Sequence, residues 1–574
     1  MGGFIIIPKE AAESTERAEA RCARSLEVFA RKGLSLDRRF GRERFLAYRY
    51  RKRVHSHDAY VEFPDGDFVF STGTFIYGGR MGPEALRRFF ADHEANKPIE
   101  RECSGNFALV VCRKGELSLL ADYCGYYPVY RSESAPMVSS SLLALAAVES
   151  NRRIDTQAMY EYLLHGFFVG EETLIEGIRR LDSRKLWQLS PVIAGASRMP
   201  AFDPLPAACG LDEVVETVSA ELRHYFAMLS SLFPGDIGSA LSGGYDSRHM
   251  TALLLSVGET PHLYVYGDAS SSDVRVAKNI ALGERLELEH VDKGAFAKVT
   301  PEQFVTSTER DFYFFDGIKP LGQMDDGSDM TTRLSRARNA RLQLNGAGGE
   351  IYREIWNLSD RSIDLESFLK LRYDRGDYSY LRRPFDSQSY FSGFAEKVRH
   401  KLAMDRRLLT RKEAEMLFPF LRNHFACANN LANSQISDSL LPFMESRFVY
   451  PSFDIPIQYK YCGRVHAALI RKASPSLARY QSDYGINFSD PIPAAYRAKQ
   501  LLHRHIPLAV RLLARRRRAR KAAGKPYYLG DDYLASAFEL NSMAIEEFVD
   551  PGEINDPEVL SRALSVELFL KHLR

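Results

Sequence analysis

Apolar positions follow two rhythms along this chain. Up to about residue 195 they form short β-branched or aromatic runs at 4–7, 59–63, 68–75, 106–111 and 117–121, bounded by Gly, Asp or Pro, which predict strands. Positions 84–93 and 155–164 repeat every three to four residues and predict helices. From 211 the rhythm changes. An amphipathic helix over 211–229 leads to a strand at 237–241, a Gly-rich turn and a helix over 248–255. Strands at 262–266, 286–291 and 341–344 follow, with a helix at 273–281 whose expected N-cap is Asp273. Strands alternating with helices predict a parallel, doubly wound sheet with ligands at the carboxyl ends of its strands. Residues 360–440 read as helical, and no internal repeat is visible.

The turn at the end of the 237–241 strand carries the most chemistry. In Ser242-Gly243-Gly244-Tyr245-Asp246-Ser247, paired glycines let backbone N–H groups approach a ligand, and the helix that follows turns its positive end the same way. Ser242 and Ser247 add hydroxyls. Asp246 adds a carboxylate, which beside a phosphate implies a magnesium ion between them. A second Gly-rich turn, Asn345-Gly346-Ala347-Gly348-Gly349-Glu350, ends the 341–344 strand and is expected to lie next to the first.

Composition narrows the class. A chain of 574 residues suffices for two or three domains, and 45% hydrophobic with 26% charged residues is ordinary for a globular protein. A net charge of +3 argues against a dedicated nucleic-acid binder. Seven scattered cysteines without a C-x-x-C pair indicate neither a disulfide framework nor a zinc site. With no signal peptide and no membrane-length apolar run, a cytoplasmic location is the expectation. One cluster stands out: Arg511, Arg515 to Arg518, Arg520, Lys521 and Lys525, uninterrupted by acids. A solvated helix face is its commonest meaning; an acidic peptide, a membrane surface or RNA are the alternatives.

Several segments together resemble the asparagine synthetase family. Ser104-Gly105-Asn106-Phe107-Ala108 and Asp122-Tyr123-Cys124-Gly125-Tyr126-Tyr127-Pro128 are similar to segments of its glutaminase domain. Thr173, Ile178 and Leu181 resemble the junction between its domains, and the two Gly-rich turns resemble its ATP-binding loops. The stretch from Glu445 through Arg447 to Asp454 is similar to its Glu-x-Arg-x-Pro-Phe-x-Asp motif. The resemblance implies an N-terminal-nucleophile-like α+β sandwich (1–195), a linker (196–210), a doubly wound parallel-sheet ATP-pyrophosphatase, or PP-loop, synthetase domain (211–515), and a basic, helical C-terminal extension (516–574) expected to pack on the synthetase domain.

It also implies chemistry in two steps: a carboxylate attacks the α-phosphorus of Mg-ATP to give an acyl-adenylate, and an amine then displaces AMP. ATP and Mg2+ are the implied cofactors. Asp246 and Glu350 would hold the metal, Ser242, Gly243, Gly244 and Ser247 the pyrophosphate, and Tyr245 would be a further cofactor-binding residue of the same loop. Leu241, Val265, Asn345 and Gly346 would line the nucleotide site. Glu445 and Arg447 would order the substrate side, a structural ion pair being the other reading, and Lys472 would stand in for the family's catalytic lysine. Two departures matter. Gly2 stands where the glutaminase has its nucleophilic cysteine, and Cys22 falls in a helical stretch, so glutamine hydrolysis is not expected, as in lasso-peptide cyclases and β-lactam synthetases. Ala347 replaces an acidic or aromatic residue near the reacting acyl group. Three functions stay open: amide formation on a small-molecule or peptide carboxylate, with macrolactam closure of a precursor peptide supplied by its protease as one form; ammonia-dependent amidation of aspartate or a sugar acid; and a degenerate nucleotide-binding scaffold.

Overall fold

A computed structural model describes residues 2–573 except 11, 96–98, 190–192, 200–204, 206–209, 383–384, 423, 520–523 and 541, with backbone alone at 422, 424 and 516–519. Most of the expected linker, and Arg516 to Arg518, Arg520 and Lys521 of the basic cluster, therefore lie outside the described side chains. The chain folds as a mixed α/β protein with several sheets, one of them parallel.

The first 197 residues build two six-stranded sheets. Strand β1 (Gly3–Pro8) pairs antiparallel with β2 (Phe45–Tyr50) inside the first. In the second, β3 (Phe68–Tyr77) is followed by helix α1 (Gly82–Glu94), then by β4 (Cys103–Arg113), which pairs with it, and by β5 (Glu116–Ala121). Side chains alternate across a strand, so the faces of β1 can be read separately. Phe4 and Ile6 join Phe68, Phe70, Ala108 and Val110 in a core between the sheets, while Ile5 and Ile7 pack on helical residues Val28, Phe29 and Leu142 to Ala146. The outer face of β3 and β4 is covered by Leu86, Phe89 and Phe90 of α1. Four layers result, helix, sheet, sheet, helix. Both faces of β1 are covered, hence its continuous apolar run, and each buried Ile or Phe there contributes about 1.5–3 kcal/mol.

Helix α2 (Thr156–His165), capped by the Asp155 carboxylate, leads toward the second half, which opens with α3 (Leu211–Leu232). Then come β6 (Ile237–Ala240), α4 (Tyr245–Ser256), β7 (His262–Tyr266), α5 (Ser272–Glu284), β8 (Leu288–Val291), α6 (Ser328–Asn339), β9 (Leu342–Leu344) and β10 (Asp438–Leu440). All five strands are parallel, in the order β8-β7-β6-β9-β10. Residues of α4 and α5 share a core with Leu241, Leu263 and Val265, and residues of α6 join Phe314, Phe315, Ala432 and Ile436 in another. The chain runs outward from β6 to β8 and then returns to the other side of β6. The crevice beyond the carboxyl ends of β6 and β9 is the point where a sheet of this type offers a ligand site.

The halves meet along a polar seam. Lys52 Nζ and Asp438 Oδ1 lie 2.5 Å apart with both side chains fully buried, and Lys32 pairs with Asp316 at 2.8 Å. The edge strand β10 abuts β3 and β4 through Ser439 N donating to Thr74 Oγ1 and Leu441 N donating to Asn106 Oδ1. The C-terminal segment does more than cover the second half. Helices α7 (Arg464–Ala473), α8 (Ala494–His505) and α9 (Leu508–Ala519) lie on that half, but α10 (Pro557–Leu573) is buried where the two meet; its Arg562 donates to the carbonyls of Leu163 in α2 and Pro320. No helix among the described residues is long and apolar enough to cross a membrane.

Candidate functional site

Helix α4 starts with Gly244 as N-cap, and no side chain caps its first turn. The N–H groups of Tyr245, Asp246 and Ser247 thus face the crevice, with the positive end of a twelve-residue helix behind them. The preceding loop is closed on itself. Ser242 N donates to Ser247 Oγ (2.9 Å), the Ser242 and Ser247 hydroxyls are 2.8 Å apart, Gly244 N reaches Ser242 Oγ at 3.3 Å, and Gly243 N donates to Asp273 Oδ1 at 2.8 Å. Asp273 is therefore not the N-cap of α5. Ser271 caps that helix, and the Asp273 carboxylate reaches across to the loop.

The parallel register, Ser239 opposite Leu344, carries the second Gly-rich turn out beside the first. A Cβ at Gly346 would stand 3.3 Å from the Asp246 carbonyl, and one at Gly349 would collide with the Asp246 carboxylate, so small residues are required where the turns touch. Asn345 Oδ1 accepts from Ala347 N, and Glu350 Oε2 from Gly348 N.

Charge at this crevice is unevenly balanced. Arg353 Nη2 donates to both oxygens of Asp246 at 2.9 and 2.8 Å. Enclosure nonetheless pushes the Asp246 carboxyl upward, Arg353 pulls it back, and the charges of Glu350 and Asp483 push it up again. Asp483 is itself raised by burial and by Asp273. Four carboxylates thus gather around the loop against two guanidiniums, Arg353 and Arg248. The latter is buried and ties Gly243 O to the carbonyls of Tyr480 and Gln481. Beneath Asp246, His466 and His249 hydrogen-bond at 3.1 Å, both fully buried and kept neutral by desolvation.

A magnesium ion takes oxygen donors and needs only one or two protein carboxylates when phosphate supplies the rest. Asp246 and Glu350 are donors of that kind, and the local carboxylate excess suits a cation. Among the described residues no group of three His, Cys, Asp or Glu could hold a metal without such a ligand. Arg353 now occupies Asp246, so the guanidinium and an ion would compete for it.

The other expected residues fall in three places. Tyr245 is buried against Phe488 (ring centroids 4.2 Å apart), and the Leu241 and Val265 side chains lie in the core under the sheet, leaving their backbone to face a ligand. Glu445 and Arg447 face the seam: Glu445 Oε1 accepts from Gly105 N at 2.7 Å and Tyr225 OH at 3.0 Å, and Arg447 donates to Ser104 Oγ and the Cys103 carbonyl. Burial raises Glu445 to about 7. Asp454 pairs with Lys412 at the surface. Lys472 is on an exposed face of α7, paired with Glu216 of α3, and the structure does not bring it to the loop. Arg353, Arg248, Asp483 and His466 were missed by the sequence reading. Arg353, a cation three residues beyond Glu350, carried a local signal; Asp483 and His466 lie more than two hundred residues from the loop and carried none.

At Gly2 a Cβ would stand 2.6 Å from the Arg51 carbonyl, so the fold leaves no room there for a cysteine side chain. Burial raises the thiols of Cys22, Cys103, Cys112, Cys124, Cys427 and Cys462 alike. A cavity of about 770 Å3 lies away from the loop, where Arg180, Arg184 and Lys401 converge, and burial with the two guanidiniums draws the Lys401 ammonium down to about 7.

No known protein-family model matches this chain, and no curated protein does. Among solved structures, glutamine phosphoribosylpyrophosphate amidotransferase from B. subtilis, complexed with ADP and GMP, aligns over 50% of this chain and 65% of its own at 9% identity and a TM-score of 0.23. A structure described as the allosteric regulatory enzyme of purine biosynthesis aligns over 52% and 68% at 9% identity and 0.24. The chain thus spans less than two thirds of the first of these, and likenesses at such scores bear on neither fold nor activity.

Proposed function

We propose that the chain is an ATP-dependent carbon–nitrogen ligase of the asparagine synthetase type, with a sandwich half that does not hydrolyse glutamine and a PP-loop half that adenylates a carboxylate. The observation that carries this reading is the uncapped start of α4 at the crevice between β6 and β9, edged by two Gly-rich turns. Backbone dipoles fixed there would stabilise the charge that grows on departing pyrophosphate more than they stabilise bound ATP. Magnesium, held by Asp246 and Glu350, would neutralise part of that charge. Arg353 would release Asp246 as the nucleotide arrives. The raised thiols and the filled space at Gly2 support a nitrogen source other than glutamine.

Expected is exchange of labelled pyrophosphate into ATP, dependent on a carboxylate substrate, with Asp246→Asn lowering the rate at least about a hundredfold, the order of one lost transition-state contact. Failure of exchange and of ATP·Mg binding across small and peptide carboxylates would end the reading. A scaffold that binds nucleotide without turnover is favoured by one observation, the internal partners already held by Ser242 N, Gly243 N and Gly244 N. ATP binding without exchange would select it.

A further inference from the structure

Residues 491–530 contain eleven Lys and Arg and no Asp or Glu. Helices α8 and α9 occupy this stretch, joined at Pro507. One side of the pair rests on the protein: Arg511 donates to the carbonyls of Trp356 and Asn357, Arg515 to that of Leu371, and Arg504 lies over the Tyr461 ring. The same segment carries Leu501, Leu502, Ile506, Val510 and Leu513, which are 52, 70, 36, 53 and 59% exposed. Elsewhere among the described residues exposed large apolar side chains stand singly along the sequence. Cations border the stripe at Arg497 and Lys499, both exposed.

We propose that this helix pair docks the protein on an anionic lipid surface, with the aliphatic stripe entering the headgroup region and the cations meeting lipid phosphates. Charge alone would suit a nucleic acid or an acidic protein, but neither gives a reason for five exposed aliphatic side chains in thirteen residues. An amphipathic surface helix needs both features. A second copy of the chain would set this acid-free segment against itself. Solvent is a poor occupant for a stripe this dense in apolar groups. The inference is independent of the loop's chemistry.

The test is co-sedimentation of the full chain with vesicles of phosphatidylglycerol and phosphatidylcholine, against phosphatidylcholine alone. Binding is expected only to the anionic vesicles, falling at least about tenfold in Leu502→Glu/Leu513→Glu and weakening in 0.5 M salt (on the order of the Debye length shrinking to a few ångströms). Both leucines are exposed, so the melting temperature should hold; Leu502→Ser/Leu513→Ser serves if it does not. No sedimentation with anionic vesicles overturns the proposal. So does binding that both variants retain, which would mark a purely electrostatic partner such as RNA. Self-association abolished by the same substitutions, without vesicle binding, overturns it in favour of a second copy.

Discussion

The seam between the halves and the crevice at β6 and β9 both collect carboxylates, and they treat them oppositely. Asp438 sits in the seam with its oxygens divided between Lys52, Arg341 and Thr74, and the Lys52 ammonium holds its carboxyl well below the usual range despite complete burial. Asp246 has one guanidinium, two carboxylate neighbours and a raised carboxyl. Full pairing is what a structural contact requires; an unbalanced cluster in a cleft is the arrangement expected where a ligand completes the charge. Glu445 lies in the seam yet is raised as Asp246 is, by burial; its Oε1 accepts from both Gly105 N and Tyr225 OH, and its surroundings suit the protonated form.

The largest effect should come from breaking the seam. Asp438→Ala strands a buried lysine, and urea unfolding should show a loss of about 3–5 kcal/mol. Asp246→Asn, by contrast, should change stability far less while removing nucleotide turnover. Comparable losses at both positions would erase the distinction.

Glu445 makes the next prediction. Its folded pKa of about 7 lies above the unfolded value near 4.5, so the native state binds this proton more tightly. Its contribution is complete below about pH 4.5 and lost as pH rises through 7, by about 3 kcal/mol at most. Glu445→Gln keeps the acceptor for Gly105 and Tyr225. It should match the wild type in thermal melts at pH 4.5 and exceed it at pH 8; an unchanged difference across that range refutes the assignment.

Gly348 has φ of 101° and would direct a Cβ at the Met444 sulfur, so Gly348→Ala should cost about 1–3 kcal/mol in chemical denaturation and distort the crevice at the same time. The smallest effect is expected at Lys472. Its pair with Glu216 is exposed on both sides, and Lys472→Ala should shift stability by less than about 0.5 kcal/mol and leave pyrophosphate exchange unchanged. A large loss of exchange would return Lys472 to the site.

Local pattern determined much of this protein. Short apolar runs marked β1, β3, β4 and β5, strand and helix alternation marked β6 to β9 of the parallel sheet, and Ser242 to Ser247 and Asn345 to Glu350 marked the loops at its carboxyl edge, because period and glycine are properties of neighbouring residues; β2 and the edge strand β10, the latter in a stretch that reads as helical, carried no such mark. Tertiary structure alone decided which charges meet. Arg353 on Asp246, Asp273 on Gly243, Lys52 on Asp438 and Glu445 on Gly105 join positions separated by tens to hundreds of residues. Pairing of that range depends on how sheets and helices pack, and no local spacing encodes it.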